Sequence, residues 1–254
     1  MKFALVGYGR MGREVESLAR DRGHHVVAVI DPGVRVEGAH REITRRALGG
    51  AHVAFEFSVP AAAEANVVAL LGLGVRVVCG TTGWDPRGAS VARAARRGRV
   101  GAVIAPNFSL GMAIFADVVG EAARRFAAAG SYEAYVLEAH HRGKKDAPSG
   151  TARKLAGIVA SASPGEASIV EGNPRGTLAA GSIHVASVRA GHEPGVHTVG
   201  FDGPRDVVTL THRARGRGGL ALGAVLAAEW IAKRRGVHGF EEVVRDLLRE
   251  GGSE

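Results

Sequence analysis

The first 105 residues alternate between short apolar runs and helical patterns, and this alternation constrains the fold more than any other feature of the sequence. The predicted strands are five to seven residues long and cover Lys2–Val6, His25–Ile30, Ala51–Phe57, Val75–Cys79 and Val100–Ala105. The predicted helices between them cover Met11–Arg22, Ala61–Leu71 and Pro86–Arg97. Such β-branched runs, separated by helices, are typical of parallel strands buried on both faces. We therefore predict an α/β fold with a Rossmann-type, doubly wound parallel sheet.

The pattern changes after Asn107. A long helix and one strand are predicted first, and a second helix is followed by three strands with no helix between them. The helices are predicted at Ser109–Ala128 and Thr151–Ala162, and the strands at Glu133–Glu138, Ile183–Arg189, His197–Phe201 and Asp206–His212. Glycine and proline turns join the last three strands, which indicates antiparallel hairpins. This region is predicted to be an α+β domain with a mostly antiparallel open sheet, followed by a final helix at Leu220–Arg235.

Composition excludes several classes of protein. The chain is 46% hydrophobic and 23% charged, which is ordinary globular composition. Its apolar runs are too short to span a bilayer, and Lys2–Val6 leaves no room for a signal peptide. The single cysteine, Cys79, excludes an intramolecular disulfide and fits a reducing compartment. We therefore expect a soluble, cytoplasmic protein with no membrane partner.

The net charge of +8 raises the possibility of nucleic-acid binding. The arginines are scattered and interleaved with acidic residues, whereas nucleic-acid binders usually concentrate charge on one face. A solvated basic surface is the favoured interpretation, and no nucleic-acid partner is expected. One basic cluster, at residues 140–145, needs another explanation.

The segment Gly7-Tyr8-Gly9-Arg10-Met11-Gly12 matches the dinucleotide-binding pattern G-x-G-x-x-G. It leaves the first predicted strand and opens a helix, which is the context that the pattern requires. Gly7 permits a tight turn, Gly9 lets the backbone approach a pyrophosphate, and Gly12 lets helix and strand pack closely. The alternative is a glycine-rich turn without a ligand.

Asp31 ends the second predicted strand, 19 residues after Gly12. Its carboxylate can accept a hydrogen bond from a ribose 2′-hydroxyl, which favours NADH over NADPH. Arg10 and Arg35 are basic residues that can offset this preference, and a turn residue before Pro32 is the alternative interpretation.

Two further loops follow predicted strands at the edge where open α/β sheets bind ligands. One is Gly80-Thr81-Thr82-Gly83, and the other begins Ala105-Pro106-Asn107-Phe108. Their hydroxyls and amides suit a nicotinamide or a ribose, although each is also compatible with a plain turn.

The segment Glu138–Ala152 runs from a strand end to a helix start. Ser149 is a plausible N-cap, so the amides of Gly150 and Thr151 are predicted to form an anion site. Two His and two Lys residues upstream add positive charge and transferable protons, which suits a small anionic substrate that must be protonated. The alternatives are a basic surface loop and a His–His metal site. The metal site is disfavoured because no Cys or third ligand stands at a sensible spacing.

This segment resembles the signature E-[AL]-H-H-x-x-K-x-D-x-P-S-G-T-A of the 4-hydroxy-tetrahydrodipicolinate reductases, also called dihydrodipicolinate reductases, of lysine biosynthesis. The resemblance covers essentially the whole chain, and its other motifs are Gly7–Gly12, Gly80–Gly83, Asn107–Gly111 and Ser187–Gly191.

The resemblance implies a homotetrameric NADH- or NADPH-dependent oxidoreductase that acts on a cyclic dicarboxylate. It implies that His140 is a proton donor and acceptor, that Lys144 is a proton donor, and that His141, Gly150 and Thr151 bind substrate. The implied cofactor-binding residues are Gly7, Tyr8, Gly9, Arg10, Met11, Gly12, Asp31, Gly80, Thr81, Thr82, Ala105, Pro106, Asn107 and Phe108. The implied domains are residues 1–107 with 217–254 for the dinucleotide, and residues 108–216 for substrate, catalysis and oligomerisation.

The sequence departs from the family pattern at two positions. Pro106 stands where Ala is common and removes a backbone N–H, and Leu220 stands where an aromatic residue is expected. A related small-acid or amino-acid dehydrogenase is the alternative enzyme, although it would not need the full signature. A dinucleotide-sensing repressor is the alternative outside enzymes, but the chain begins at the first strand with no DNA-binding module.

Overall fold

The computed structural model describes residues 1–163, 165 and 167–251. In chain order, its elements are β1 (Lys2–Val6), α1 (Arg10–Asp21), β2 (His25–Ile30), β3 (Val53–Glu56), α2 (Pro60–Gly72), β4 (Arg76–Cys79), α3 (Ala89–Gly98), β5 (Gly101–Ile104), α4 (Leu110–Ala129), β6 (Glu133–His140), α5 (Gly150–Ala162), β7 (Ile169–Glu171), β8 (Ile183–Arg189), β9 (Val196–Asp202), β10 (Val207–Arg213), α6 (Gly218–Ile231), β11 (Gly236–His238) and α7 (Phe240–Glu250). The chain divides into two compact units, the first comprising Met1–Leu110 with the segment from Arg217 onward, and the second Gly111–Gly216.

The first unit is built on a six-stranded sheet in the order β11-β5-β4-β3-β1-β2. Every neighbouring pair in this sheet is parallel. The middle strands are buried on both faces, as their apolar sequences require, and Phe3, Leu5, Phe55 and Val77 are at most 1% exposed. The predicted doubly wound α/β fold is therefore confirmed.

The second unit holds a five-stranded sheet in the order β10-β9-β6-β8-β7. The sheet is mixed, because β6 with β8 and β7 with β8 are parallel, whereas β6 with β9 and β9 with β10 are antiparallel. The predicted hairpin between Ile183–Arg189 and His197–Phe201 is wrong, since β6 lies between those two strands. The turn residues after Arg189 therefore reverse the chain without pairing its two flanking strands.

Alternate residues of β6 point to the two faces of this sheet. Val136, Glu138 and His140 are buried, while Leu137 is exposed. Val136 packs in a core with residues of α4, α5, β8 and β9, among them Val119, Leu155 and Val185. Because side chains alternate between the two faces of a strand, Glu138 and His140 lie on the same face as Val136, which is the face covered by the core.

Several boundaries differ from the prediction. The strand β6 extends to His140, so this residue lies on the sheet and not in the following loop, while β7, β11 and α7 had not been individually predicted. The helix α3 begins at Ala89, after a turn in which the Arg87 N–H donates to Asp85 Oδ1 at 3.0 Å. Among the residues described, none of the helices is both long and apolar enough to cross a membrane.

Candidate active site

The glycine loop after β1 needs its first and third glycines for its own packing. Gly7 has a φ of +87°, and a Cβ there would lie 2.4 Å from the Phe57 carbonyl oxygen. A Cβ on Gly12 would lie 2.5 Å from the Gly7 carbonyl oxygen. A Cβ on Gly9 would meet nothing within 4 Å. The space beside Gly9 is therefore open, which fits the close approach of a dinucleotide phosphate.

Asp31 holds this loop through both of its carboxylate oxygens. Oδ2 accepts the Tyr8 N–H at 2.8 Å, and Oδ1 accepts the Gly33 N–H at 2.8 Å. The prediction of a turn residue and the prediction of a ribose ligand are compatible here, because each oxygen keeps a second acceptor position. Arg41 donates to the Pro32 carbonyl at 3.2 Å. The sequence pattern pointed to Arg10 and Arg35 as basic residues near Asp31, but it did not reveal the guanidinium of Arg41 beside this turn.

A cavity of about 310 Å³ lies in the first unit, at the carboxyl ends of its strands. Its volume is at the lower end of the range typical of small-ligand sites. Its wall includes seven of the predicted cofactor residues: Met11, Gly80, Thr81, Thr82, Pro106, Asn107 and Phe108. The wall also includes four residues that had not been predicted as cofactor ligands: Phe57, Ser58, Pro60 and Leu220.

Both departures from the family pattern, Pro106 and Leu220, lie on the wall of this one cavity. Pro106 supplies no N–H to the cavity, whereas Asn107 uses its Oδ1 to accept the Ser109 N–H at 2.8 Å. Ala105 is buried, and its N–H donates to the Cys79 carbonyl at 3.1 Å. The amides of residues 105 and 106 are therefore not available to a ligand.

A buried carboxylate that the sequence did not reveal lies behind the cavity wall. Glu56 is fully buried, and its side chain accepts hydrogen bonds from Ser58 Oγ, from Asn66 Nδ2 at 3.2 Å and from Cys79 Sγ at 3.3 Å. Burial, together with this carboxylate, raises the pKa of the Cys79 thiol, so the cysteine is a neutral donor. The network fixes Ser58, which faces the cavity.

In the second unit, Glu138 of β6 is fully buried. Its Oε1 accepts three hydrogen bonds, from the Ser149 N–H at 2.9 Å, from Ser187 Oγ at 2.8 Å and from Arg189 Nη2 at 2.5 Å. Burial alone would raise the pKa of this carboxyl, but the hydrogen bonds outweigh burial and lower the pKa to about 2. Glu138 is therefore ionised at neutral pH.

Two imidazoles lie against the other oxygen of Glu138. His140 Nδ1 is 3.1 Å from Oε2, and His197 Nε2 is 3.6 Å from the same atom. Burial lowers the pKa of His140, and the charges of Lys144 and Arg189 lower it further, against the opposing effect of Glu138. Burial and the neighbouring His140 lower the pKa of His197 to about 4. Both rings are thus favoured in the neutral form at pH 7.

Three possible metal ligands of the second unit lie close together in the fold. Although no third ligand was visible near His140 and His141 in the sequence, the fold brings Glu138, His140 and His197 together with atoms within 4.8 Å of one another. Arg189 already binds this carboxylate, and its positive charge disfavours a divalent cation there. The absence of a metal stays a prediction.

The loop that follows β6 places Lys144 beside a carboxylate. Its Nζ is 2.8 Å from Asp146 Oδ1, and this hydrogen bond is the main reason why the pKa of Asp146 is lowered. The Gly150 backbone N–H contributes to the same lowering of the Asp146 pKa. The availability of the Gly150 amide to a substrate stays a prediction. His141 donates its N–H to the Glu193 carbonyl at 2.8 Å.

The predicted N-cap of α5 is confirmed. Ser149 Oγ accepts the Ala152 N–H at 3.1 Å, and the helix begins at Gly150. Thr151 is the second helical residue, where the helix supplies no partner for a backbone N–H. The start of α5 combines these amides with the positive end of the helix dipole and with Lys144. The arrangement can hold a carboxylate of a small molecule.

Comparisons with known proteins agree on one family. The model of the dihydrodipicolinate reductase N-terminus matches residues 1–108, and the model of its C-terminus matches residues 111–244. A 4-hydroxy-tetrahydrodipicolinate reductase of Christiangramia forsetii is 32% identical over 250 residues, covering 98% of this chain and 100% of that protein. A protein of the same name from Methanoculleus marisnigri is 39% identical over 193 residues, covering 76% of this chain and 75% of that protein.

A solved structure shares the fold along the whole chain. It is a dipicolinate-bound dihydrodipicolinate reductase from a Paenisporosarcina species, with a TM-score of 0.75 and 23% identity, covering 95% of this chain and 98% of that one. The two family models together span nearly all of the described residues, and the relative from Christiangramia forsetii matches end to end. The chain therefore belongs to the dihydrodipicolinate reductase family.

Proposed function

We propose that this protein reduces 4-hydroxy-2,3,4,5-tetrahydrodipicolinate to 2,3,4,5-tetrahydrodipicolinate, with loss of water, in lysine biosynthesis through diaminopimelate. The observation that carries this proposal is the cluster at the end of β6, where a His, a Lys and a helix N-terminus meet. A dicarboxylate needs cationic and amide partners, and its reduction needs an acid. A related small-acid or amino-acid dehydrogenase is not favoured, because the relatives that match this chain carry the name of the reductase.

The first unit fits a nicotinamide cofactor. The open space at Gly9, the glycine loop at the head of α1 and the cavity lined by Thr81 and Asn107 are the features that a dinucleotide requires. When bound, the cofactor supplies a hydride to ring C4 of the dehydrated substrate. We assign the dinucleotide to residues 1–107 with 217–254, and the substrate to residues 108–216.

The residues of the second unit bind the substrate and provide its proton. Gly150 and Thr151 hold one carboxylate through their backbone N–H groups. His141 contacts the substrate from the same loop. Lys144 supplies the proton, and His140, which is neutral at rest, takes it up and passes it to the carbon next to C4, and this balances the hydride.

An assay of cofactor oxidation tests the function. Purified protein is mixed with NADH or NADPH and with hydroxy-tetrahydrodipicolinate generated enzymatically in the same cuvette, and the absorbance at the nicotinamide band is followed. We expect oxidation that depends on the substrate. Oxidation of NADH or NADPH only with a simple 2-oxo acid, with or without ammonia, would favour the dehydrogenase alternative instead.

Cofactor preference is predicted from Asp31 and Arg41. We expect kcat/KM for NADH to equal or exceed that for NADPH, because the carboxylate of Asp31 repels a 2′-phosphate. The ratio of kcat/KM for NADH to kcat/KM for NADPH should increase at high ionic strength, since salt screens the attraction between Arg41 and that phosphate. Measuring kcat/KM for both cofactors at two salt concentrations, in the wild type and in Arg41→Ala, checks this. A tenfold or larger preference for NADPH at both salt concentrations would show that Asp31 does not determine the choice.

The carboxylate site is tested at Thr151. We expect Thr151→Pro to raise KM for the substrate several-fold with little effect on cofactor binding, because it removes one N–H donor while Pro is tolerated in the first turn of a helix. Thr151→Ala keeps the amide and serves as the control. Steady-state kinetics of both variants, with circular dichroism as a folding check, provide the measurement. If Thr151→Pro weakens cofactor binding and leaves KM for the substrate unchanged, the start of α5 binds the cofactor and not the substrate.

The open face of the second sheet supports the proposed homotetramer. Leu137, Val188 and Val207 are 41%, 48% and 52% exposed, and the strand register places them on the face opposite Glu138. An apolar sheet face of this kind suits pairing with a second copy of the chain.

We expect the wild type to be a tetramer and Leu137→Glu to dissociate it, whereas Val36→Glu, at a similarly exposed valine of the first unit, should not. Light scattering after size-exclusion chromatography measures the mass of each variant, and a monomeric wild type would contradict the proposal.

A cytoplasmic location stays a prediction. It is supported by the cysteine content: the sole cysteine, Cys79, is buried and forms no disulfide, as is usual in a reducing compartment.

A further inference from the structure

Four polar side chains form a row across the second sheet. The strand register places Ser187 of β8 beside Glu138 of β6, Glu138 beside His197 of β9, and His197 beside His212 of β10. Glu138 and His197 are buried, and the His212 ring lies 5.9 Å from the ring of Phe115 in α4. Polar residues are rare in the interior of a sheet, so the row needs an explanation beyond packing.

The two oxygens of Glu138 have different environments. Oε1 accepts three hydrogen bonds, whereas Oε2 is buried and has no hydrogen-bond partner of good geometry among the described residues. Oε2 lies 3.1 Å from His140 Nδ1 and 3.6 Å from His197 Nε2. A buried carboxylate oxygen without an N–H donor would be strongly destabilising. Small adjustments of the two rings would supply two such donors.

We propose that Glu138 and His197 are positioning residues for the proton transfer by His140. An ionised carboxylate only accepts hydrogen bonds, so the ring nitrogen that faces it must carry the proton. Glu138 therefore fixes His140 with its proton on Nδ1, and leaves Nε2 as the atom that exchanges a proton with the substrate. This inference rests on the function proposed above, because it assumes that His140 takes part in proton transfer.

Gly195 lies close to the exchanging atom of His140. A Cβ on Gly195 would lie 2.9 Å from His140 Nε2, so any larger residue would press on this nitrogen. The lack of a side chain at residue 195 thus leaves room beside Nε2.

His197 completes the arrangement from the neighbouring strand. Its Nε2 lies 3.2 Å from Ser149 Oγ and 3.6 Å from Glu138 Oε2, and its ring packs edge-on against that of His140 with a centroid distance of 5.0 Å. The Nε2–H of a neutral His197 therefore supplies a donor to this pair of oxygens. Because Ser149 is the N-cap of α5, His197 connects the proton-transfer residue with the start of the substrate-binding helix. Lys144 and His212 are further titratable groups that lower the pKa of His197 through their charges.

The tautomer of His140 is the direct test. The ring nitrogens of ¹⁵N-histidine-labelled protein are observed by NMR at neutral pH, and the signals of His140 are assigned by their loss in His140→Gln. We expect neutral His140 to carry its proton on Nδ1 in the wild type. In Glu138→Gln, whose amide can donate to Nδ1, we expect the proton to move to Nε2, and kcat to fall roughly 10²-fold or more, within the usual range for lost acid–base catalysis. A wild-type His140 that carries its proton on Nε2 would overturn the proposal, whatever the enzyme reduces.

The role of His197 is tested by a matched pair of variants. His197→Phe keeps an aromatic ring against His140 but removes the N–H donor, whereas His197→Gln keeps a donor. We expect kcat to fall about tenfold in His197→Phe, with KM for both substrates within about twofold of wild type, and to recover most of that loss in His197→Gln. Equal losses in the two variants, or wild-type kcat in His197→Phe, would show that His197 acts only by filling space. Since the tautomer is read without turnover, a failure of the proposed function is distinguishable from a failure of this inference.

Discussion

His140→Gln and Lys144→Ala each lower kcat by roughly 10²-fold or more, within the usual range for removal of a general acid or base, and neither weakens NADH binding. This expected result follows from the placement of the two groups. His140 ends β6 against the ionised Glu138, and Lys144 lies in the loop between that strand and the anion site at the start of α5. Both belong to the second unit, whereas the predicted cofactor residues belong to the first.

Lys145→Ala is the matched control for Lys144→Ala. Lys145 is an exposed base in the same loop. Lys145→Ala therefore removes one positive charge, as Lys144→Ala does, but it keeps the proposed proton donor. Single-turnover kinetics give the rate of the chemical step, and NADH fluorescence titration gives cofactor affinity. Turnover near that of wild type in folded His140→Gln or Lys144→Ala would refute the assignment. An equal loss in Lys145→Ala would indicate that the charge of the loop matters more than one proton donor.

Local chemistry made much of the site predictable from the sequence. The glycine spacing after β1 is a short-range requirement, because Gly12 must approach the Gly7 carbonyl within the same turn. The N-cap at Ser149 is similarly local, since its hydroxyl accepts an N–H three residues later. Both features depend on residues that are close in the chain, so a pattern of residue types is enough to reveal them.

The partners of His140 were not predictable in this way. His197 reaches Glu138 because β9 pairs with β6, across 59 residues of chain, and nothing in the sequence of either strand specifies that pairing. The prediction of a hairpin between β8 and β9 failed for the same reason. Turn residues such as Pro194 and Gly195 indicate where the chain reverses, but not which strand becomes its neighbour.

Gly9→Ala raises the Kd for NADH at least about tenfold, equivalent to about 1.4 kcal/mol, and leaves the folded protein almost unchanged. The Cβ of alanine meets nothing within 4 Å in the free protein, and the φ of −78° at residue 9 is open to any residue. The new methyl group instead fills the space that the cofactor pyrophosphate is proposed to occupy against the backbone. Stability should therefore change by less than about 0.5 kcal/mol.

Gly12→Ala is the counterpart that separates packing from binding. Gly12 lies in the first turn of α1, where alanine would normally stabilise the helix by up to about 1 kcal/mol. Its Cβ would, however, lie 2.5 Å from the Gly7 carbonyl oxygen. The Cβ position is fixed by the backbone of α1, and the oxygen is a backbone atom of the same loop, so no side-chain rotation relieves the clash. The clash should outweigh the helix propensity and lower the free energy of unfolding by about 1–3 kcal/mol. Urea denaturation and NADH titration of both variants distinguish the two effects: if Gly9→Ala binds NADH like the wild type, the dinucleotide does not pass over this loop.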